Sequence, residues 1–217
     1  MDRYSIFEIL EKAKDKDTSI KMASYMKNKF PFLGIPKPKR INLTKEFLKE
    51  SKKSDKIDWV FVWKCYEKPE REYHYLAIDY INELKYLLIK EDIYIIEKLI
   101  INKSWWDTVD AISYIVAYMF LRISTVRNTI LVWIDSENIW LKRIAINFQV
   151  KFKEETDVDL LSRAITHNLF TKELFIDKAI GLALKEYSKI DKEWVKRFME
   201  EHKISATSRR EAIKYMK

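Results

Sequence analysis

The sequence predicts an all-α fold, and its scarcity of turn residues is the first reason. The 217 residues include 2 Gly and 4 Pro, whereas average usage of about 7% and about 5% would give roughly 26 of the two together. Hairpin-rich sheets need such residues at their turns, and phosphate-cradling loops need several glycines close together. Apolar residues also recur at the helical period of about 3.6 rather than at 2 along nearly every segment. Both observations favour helices with short connections.

Thirteen segments carry this helical repeat, each ending where charged or turn-forming residues interrupt it. In chain order they are Arg3–Lys14, Ser19–Lys29, Thr44–Glu50, Asp58–Lys68, Glu70–Leu88, Glu91–Ile101, Trp105–Leu121, Thr125–Ile134, Glu137–Phe152, Val158–Asn168, Lys172–Ser188, Lys192–Lys203 and Arg209–Met216. The candidate N-caps are Ser104, Thr171, Asp191 and Ser208. Ser104 and Ser208 are the stronger candidates, because an acidic residue follows each of them three positions later.

Two stretches interrupt the helices. Between Phe30 and Asn42, three prolines and Gly34 break the helical pattern, so we predict a loop that carries basic residues at its end. The charge run from Ser51 to Lys56 predicts a second, solvated loop. Neither stretch has the length of a domain linker, so residues 1–217 are predicted to form a single domain.

The spacing of the helices suggests how they stack. Helix pairs recur about every 35 to 45 residues, as expected for a curved superhelical stack of HEAT-like repeats, an α-solenoid. No strict sequence repeat accompanies this spacing. A globular helical bundle is therefore the alternative architecture.

Several kinds of site and compartment are disfavoured by composition. Cys65 is the single cysteine, so no internal disulfide is possible, and His74, His167 and His202 are too scattered to form a zinc site. The N-terminus lacks the apolar core of a signal peptide. The longest weakly polar run, Ala111–Leu121, is shorter than the roughly 18 residues of a membrane span. We expect a cytoplasmic protein that does not enter membranes.

The charge balance points toward an anionic partner. Lys and Arg number 41 against 33 Asp and Glu, which gives a formal charge of +8 and a pI near 9.2. A basic solenoid can follow a polyanion along its concave face, and duplex nucleic acid fits that description. Charge runs are also common on solvated helix faces, so charge alone leaves both interpretations open. The basic residues gather at Lys27, Lys29, Lys37, Lys39, Arg40, Lys142, Arg143, Lys151, Lys153, Arg209, Arg210 and Lys214.

Two predicted helices divide into a core face and a neighbouring polar stripe. In the helix from Trp105 the core face is Trp105, Val109, Ile112, Val116 and Met119, and the neighbouring face is Trp106, Asp110, Ser113 and Ala117. In the helix from Glu137 the core face is Leu141, Ile144, Ala145 and Phe148, and the polar stripe is Trp140, Arg143, Asn147 and Lys151. Trp106, Asp110 and Arg143 could line a groove. By periodicity alone, a structural ion pair covered by an aromatic side chain is the favoured interpretation.

A series of sequence motifs runs through almost the whole chain. They are KMASYMKNKFPFLGIPKPKR (Lys21–Arg40), SWWDTVD (Ser104–Asp110), SENIWLKRIAINFQ (Ser136–Gln149), FIDKAIGLALKEYS (Phe175–Ser188) and the tail SRREAIK (Ser208–Lys214). In their order and spacing these motifs resemble those of the DNA alkylation repair glycosylases of the AlkD-like class. Several motifs in the same order are more specific than any one of them.

The resemblance implies a fold, a reaction and a set of residues. The fold is a superhelix of HEAT-like repeats whose concave basic face holds double-stranded, alkylated DNA. The reaction is hydrolysis of the N-glycosidic bond of cationic N3- or N7-alkylated purines by a monomer without metal or other cofactor, with the lesion left in the base stack. The implied catalytic residues are Trp106, Asp110 and Arg143, the last at the DNA backbone. The implied DNA-binding residues are Tyr25, Lys29, Lys39, Arg40, Leu182, Lys185, Arg209 and Arg210.

One motif departs from the family pattern. The family reads like KAIGWALREY where this chain reads KAIGLALKEY, so Leu182 replaces an expected groove tryptophan and Lys185 an arginine. Leucine lacks the aromatic quadrupole, and lysine lacks the bidentate fork of arginine. Two functions therefore stay open: a glycosylase of altered or reduced activity, and a non-catalytic protein that binds DNA shape. Retention of Trp106, Asp110 and Arg143 favours the enzyme. In a protein that only binds DNA, a carboxylate that faces the phosphates would weaken the complex.

Overall fold

Helices and short connections make up the structure, a computed structural model that describes residues 4–216. Thirteen α-helices and three 3-10 turns account for the secondary structure of these residues, which include no strand. The predicted all-α fold class is confirmed. The predicted start of the first helix at Arg3 lies outside the described residues. The chain divides into two compact units between Leu88 and Ile89.

The first unit is built around its last helix. Its helices are α1 (Ser5–Lys12), α2 (Lys16–Tyr25), α3 (Lys37–Ser51), α4 (Trp59–Glu67) and α5 (Arg71–Glu83), followed by a 3-10 turn at Lys85–Leu87. α5 packs against both α3 and α4. Its side chains Tyr73, Leu76 and Tyr80 are completely buried, so α5 supplies the centre of this core.

A buried carboxylate anchors the loop between α2 and α3. Glu72 of α5 is inaccessible to solvent and accepts hydrogen bonds from the backbone N–H groups of Leu33, Gly34 and Ile35, at 2.9, 3.0 and 3.0 Å. Gly34 has φ +87°, and a Cβ at this position would lie 2.0 Å from the carbonyl oxygen of Asp15. The loop is thus fixed by one side chain and by one close backbone approach that only glycine permits.

α3 begins earlier than the sequence predicted. The loop was expected to extend to Asn42, but the helix starts at Lys37 with Pro38 in its first turn. Proline is tolerated there because the first-turn N–H groups have no intrahelical acceptor in any case. As a result, Lys39 and Arg40 belong to a helix and not to the loop.

The second unit is built around α9 and α11. Its helices are α6 (Asp92–Ile101), α7 (Trp106–Arg122), α8 (Val126–Ile134), α9 (Ile139–Asn147), α10 (Val158–Thr166), α11 (Leu174–Tyr187), α12 (Lys192–Glu201) and α13 (Ala206–Ala212), with 3-10 turns at Lys153–Glu155 and Ile213–Tyr215. α9 contacts α6, α7, α8, α10 and α11, and α11 in turn packs closely on α13. Residues of α9 are therefore well placed to join several helices at one point.

Helix starts follow the predicted caps only in part. The side chains that accept a first-turn N–H are Asp15, Asp58, Asn138, Asp157, Asp191 and Ser205. Asp191 is confirmed. The prediction for Ser104 is wrong, because its hydroxyl donates to the carbonyl oxygen of Ile100 instead. Ser208 lies inside α13, and the N-cap residue of α11 is Glu173 rather than Thr171, so these two predictions are wrong as well.

Candidate functional site

Asp110 lies near the N-terminal end of α7, the helix that begins at Trp106. Trp105, the preceding residue, is extended (φ −158°, ψ 162°) and ends the connection from α6. Trp106 and Asp110 are four residues apart, so their side chains lie on the same face of the first helical turns. Both side chains are half-buried.

Arg143 of α9 holds the Asp110 carboxylate with two hydrogen bonds. Its Nε donates to Oδ1 at 2.8 Å and its Nη2 donates to Oδ2 at 2.8 Å. The arginine side chain is 7% exposed and the aspartate side chain 35% exposed. This parallel, two-bond geometry fixes the orientation of the carboxylate as well as its charge. The sequence prediction that the two residues lie close together is confirmed.

A third hydrogen bond connects the same arginine to α11. Arg143 Nη1 donates to the backbone carbonyl oxygen of Phe175 at 2.6 Å. The guanidinium group therefore joins α7, α9 and α11 within the second unit. Because its Nε, Nη1 and Nη2 atoms are all engaged and the side chain is buried, Arg143 presents little surface to a phosphate group.

Three aromatic side chains pack together beside this ion pair, and sequence reasoning did not identify them as a group. The ring of Phe175 lies 5.0 Å from those of Trp105 and Trp140, and the two tryptophan rings are 5.8 Å apart. All three side chains are half-buried. The sequence predicts a core face for Trp105 and a polar stripe for Trp140, and Phe175 lies far along the chain. The proximity of Trp105 to a predicted site residue was the one available signal.

The remaining residues of the two stripes lie largely as the periodicity predicted. Val109, Ile112, Val116 and Met119 of α7 and Leu141, Ile144, Ala145 and Phe148 of α9 are buried. Ser113 and Ala117, which follow Asp110 on its face of α7, are also buried, at 4% and 8% exposure. Asn147, one turn beyond Arg143, is 3% exposed. The open part of the stripe on α7 is therefore the end that carries Trp106 and Asp110, whereas Lys151 of the other stripe is exposed.

The motif that departs from the family pattern lies on α11, near its contact with α13. Leu182 is half-buried and lies seven residues beyond Phe175, hence on the same side of the helix. Lys185 donates to Glu211 of α13 at 2.6 Å, and its side chain is 15% exposed. Hydrogen bonds from Lys185 and Lys214 lower the pKa of the Glu211 carboxyl. Lys185 is thus committed to an interhelical ion pair.

Close packing of α13 on α11 sets the positions of two exposed arginines. A Cβ at Gly181 would lie 2.7 Å from the Glu211 Cβ, and the Ser208 hydroxyl donates to the Asp177 carbonyl oxygen at 2.8 Å. Arg209 and Arg210 follow in α13 and are exposed. Arg209 also donates from Nη2 to the Met199 carbonyl oxygen at 2.8 Å.

The other implied DNA-binding residues lie in the first unit and differ in accessibility. Tyr25, Lys29 and Lys39 are exposed, and the Lys39 ammonium donates to the Ala13 carbonyl oxygen at 3.2 Å. Arg40 is 6% exposed, donates to Asp79 at 3.1 Å and stacks on the Tyr75 ring at 4.6 Å. A phosphate contact had been expected of Arg40, but its burial gives it a structural position.

The Arg40–Asp79 pair resembles the Arg143–Asp110 pair in burial but not in geometry. Its side chains are likewise 7% and 35% exposed. The guanidinium gives Asp79 one hydrogen bond rather than two, and Arg40 Nε has no hydrogen-bond partner. Burial raises the pKa of the Asp79 carboxyl, although the charge of Arg40 opposes this. The two-bond, oriented carboxylate is therefore particular to Asp110 in this comparison.

Two further findings concern metals and membranes. Within residues 4–216, no group of three or more His, Cys, Asp or Glu side chains is arranged to hold a metal ion. None of the helices described in this range combines the length and the apolar character needed to cross a membrane.

Comparisons with known proteins agree with the sequence motifs. The pattern of the family described as DNA alkylation repair enzyme matches residues 6–216. A solved structure described as a predicted DNA alkylation repair enzyme from Enterococcus faecalis is similar, with 36% sequence identity and a TM-score of 0.89; the match covers 94% of this chain and 96% of that one. The search of curated proteins gave no match. These similarities confirm the helical-repeat fold class, and the chain belongs to the DNA alkylation repair enzyme family.

Proposed function

We propose that this member of a DNA repair family is a monofunctional DNA glycosylase that acts as one domain, 1–217, without metal or other cofactor. Its substrates are cationic N3- or N7-alkylated purines in double-stranded DNA, and its reaction is hydrolysis of their N-glycosidic bond. The observation that carries the proposal is the Asp110 carboxylate, which two hydrogen bonds from Arg143 hold in one orientation while it stays 35% exposed.

A single carboxylate is sufficient for this reaction. A purine alkylated at N3 or N7 already carries a positive charge, so it leaves as a neutral base and needs no general acid. The deoxyribose develops positive charge as the bond breaks, in an oxocarbenium-like transition state. A carboxylate in a fixed position stabilises that charge and orients the attacking water without reorganising during the reaction. Asp110 has the required charge, access and orientation.

Arg143 and Trp106 take different parts in this proposal. Because its guanidinium is buried and engaged by Asp110 and Phe175, Arg143 serves as a positioning residue rather than as the expected backbone contact. Trp106, four residues before Asp110, offers an aromatic face to the sugar or to the cationic base, a contact worth about 0.5–2 kcal/mol. Asp110 and Trp106 are the proposed catalytic residues.

DNA binding in this proposal depends on the exposed cations and on one exposed aromatic residue. They are Tyr25, Lys29, Lys39, Arg209 and Arg210. Arg40 is buried and Lys185 is half-buried, and each is engaged in an ion pair, so neither is counted among these exposed residues. Affinity for DNA that comes from such scattered cations is independent of base sequence and falls with salt.

Base release from a defined duplex tests the proposal. The substrate is a duplex oligonucleotide with one N7-methylguanine, and free 7-methylguanine is measured under single-turnover conditions. We expect release from this duplex and none from an otherwise identical unmodified duplex. If the protein binds the duplex but 7-methylguanine is released no faster than by spontaneous depurination, the protein is instead the non-catalytic DNA-binding protein that Leu182 allows.

Replacement of Leu182 by tryptophan tests the departure from the family motif. Leu182→Trp places a second aromatic face on the side of α11 that carries Phe175, and we expect excision to rise about fivefold, as for a contact near 1 kcal/mol. The gain should be confined to cationic bases, because a neutral lesion places less positive charge near the tryptophan ring. The measurement is the single-turnover rate with N7-methylguanine and with a neutral lesion.

The control for this variant is Leu121→Trp, at an exposed leucine of α7. It adds the same ring away from the motif and is expected to leave the rate unchanged. A folded Leu182→Trp protein with an unaltered rate would remove position 182 from the site. Thermal unfolding separates that result from overpacking, which lowers stability by about 1–3 kcal/mol.

A further inference from the structure

The first unit contains a small aromatic pocket that the proposed chemistry does not use. Its volume is about 230 Å³, and it is lined by Lys21, Met22, Tyr25, Met26, Phe32 and Tyr75. These residues come from α2 and the turn after it, from the loop anchored by Glu72, and from α5. Phe32 and Tyr75 come from elements held by buried contacts, whereas α2, which supplies Lys21, Met22 and Tyr25, has no buried residue.

The pocket has an apolar floor beneath an exposed aromatic side chain. Met26 and Phe32 are buried, at 7% and 8% exposure, whereas Tyr25 is 74% exposed. The Tyr75 ring, which also lines the pocket, is held by the Arg40 guanidinium, which lies 4.6 Å from its centroid. The flat rings and the small volume fit a planar aromatic ligand.

A basic turn lies directly beside the pocket. Lys21, Lys27 and Lys29 are exposed. Lys27 and Asn28 both have left-handed backbone, with φ 56° and φ 54°, a conformation that non-glycine residues rarely adopt. A hydrogen bond of 2.7 Å from the Asn28 N–H to the Ala23 carbonyl oxygen holds this turn. Backbone strain that is kept in this way often accompanies binding sites.

We propose that this pocket binds an unstacked, unmodified nucleobase of the bound DNA, with the adjacent phosphates against the lysines of the turn. Bases stack on aromatic side chains whatever their identity, and lysines attract the phosphates on either side. Aromatic rings combined with a cationic rim match this ligand better than an aliphatic one, which needs no such rim. The inference rests on the DNA-binding part of the proposed function and does not require excision.

Fluorescence anisotropy with three labelled duplexes tests this pocket. One duplex is fully paired, one has a single bulged adenine, and one has a bulged abasic residue, which bends the DNA without offering a base. We expect the adenine bulge to bind at least about fivefold more tightly than the abasic bulge, the effect of one stacked base. Equal affinity for the two bulges would overturn the proposal.

Two tyrosine variants locate the effect. Tyr25→Ala is expected to remove the preference for the adenine bulge over the abasic bulge and to leave thermal stability unchanged, because its exposed ring contributes little to folding. The matched control is Tyr94→Ala, since Tyr94 is 65% exposed on α6 in the other unit. A preference that survives in Tyr25→Ala, or that Tyr94→Ala removes equally, would refute the assignment.

The outcome is separable from that of the base-release experiment. An unaltered protein that shows no preference for the adenine bulge but releases 7-methylguanine normally would refute this pocket alone. A bulge preference without any base release would support the pocket and refute the glycosylase.

Discussion

Asp110→Asn is expected to lower the single-turnover rate of 7-methylguanine release by roughly 100-fold or more, the effect of removing a preorganised electrostatic group. Asparagine keeps the shape of the side chain but lacks the negative charge that stabilises the developing sugar cation. Affinity for DNA should stay the same or improve, because one negative charge has left a surface that faces phosphates. The measurements are base release with saturating enzyme and binding to the same duplex.

Loss of the ion pair itself needs a separate control, because Asp110→Asn also leaves Arg143 without its charged partner. Asp79→Asn removes the other carboxylate that is 35% exposed and paired with an arginine that is 7% exposed. Both variants are expected to lose stability, whereas only Asp110→Asn should lose the chemical step. If Asp79→Asn slows base release as strongly as Asp110→Asn does, the effect comes from folding and the assignment of Asp110 fails.

The proximity of Asp110 and Arg143 was within reach of sequence reasoning because helical periodicity assigns each residue to a face. Val109 and Ile112 define the buried side of α7, so Asp110 had to lie beside it. Arg143 was placed in the same way by Ile144 and Ala145. Periodicity could not decide whether the arginine reaches a phosphate or the carboxylate, since that depends on the distance between α7 and α9.

Interactions distant in sequence account for most of what was missed. The contact of Phe175 with Trp105 and Trp140 depends on how α11 packs against α9, which no local pattern records. Likewise, the ion pair between Lys185 and Glu211 joins residues 26 positions apart on two helices, and no local pattern predicts it. Local rules also failed where a side chain could form either of two hydrogen bonds. The Ser104 hydroxyl donates to the Ile100 carbonyl oxygen of α6 instead of accepting an N–H at the start of α7.

Glu72→Ala is expected to destabilise the first unit by at least about 3 kcal/mol, because three backbone donors would lose their acceptor, at about 1–3 kcal/mol for each buried group left unpaired. The carboxylate accepts from Leu33, Gly34 and Ile35 and is completely buried, so water cannot replace it without opening the structure. For a chain of this length the loss corresponds to a midpoint lower by about 6–12 °C. Thermal unfolding measures it, and Glu46→Ala, at an exposed glutamate of α3, is the control.

Hydrogen exchange distinguishes loss of the anchor from general weakening. In Glu72→Ala the amide hydrogens of Leu33, Gly34 and Ile35 should exchange much faster than in the unaltered protein, since local opening of the loop no longer breaks a hydrogen bond to Glu72. The increase at these three amides should be much larger than at the amides in the centre of α5. Phe32, in the same loop, forms the floor of the aromatic pocket, so the preference for an adenine bulge should fall in parallel. Unchanged exchange at these three amides would mean that the loop is held by other contacts, such as the 2.9 Å hydrogen bond from the Asp15 N–H to the Leu33 carbonyl oxygen, and not by Glu72.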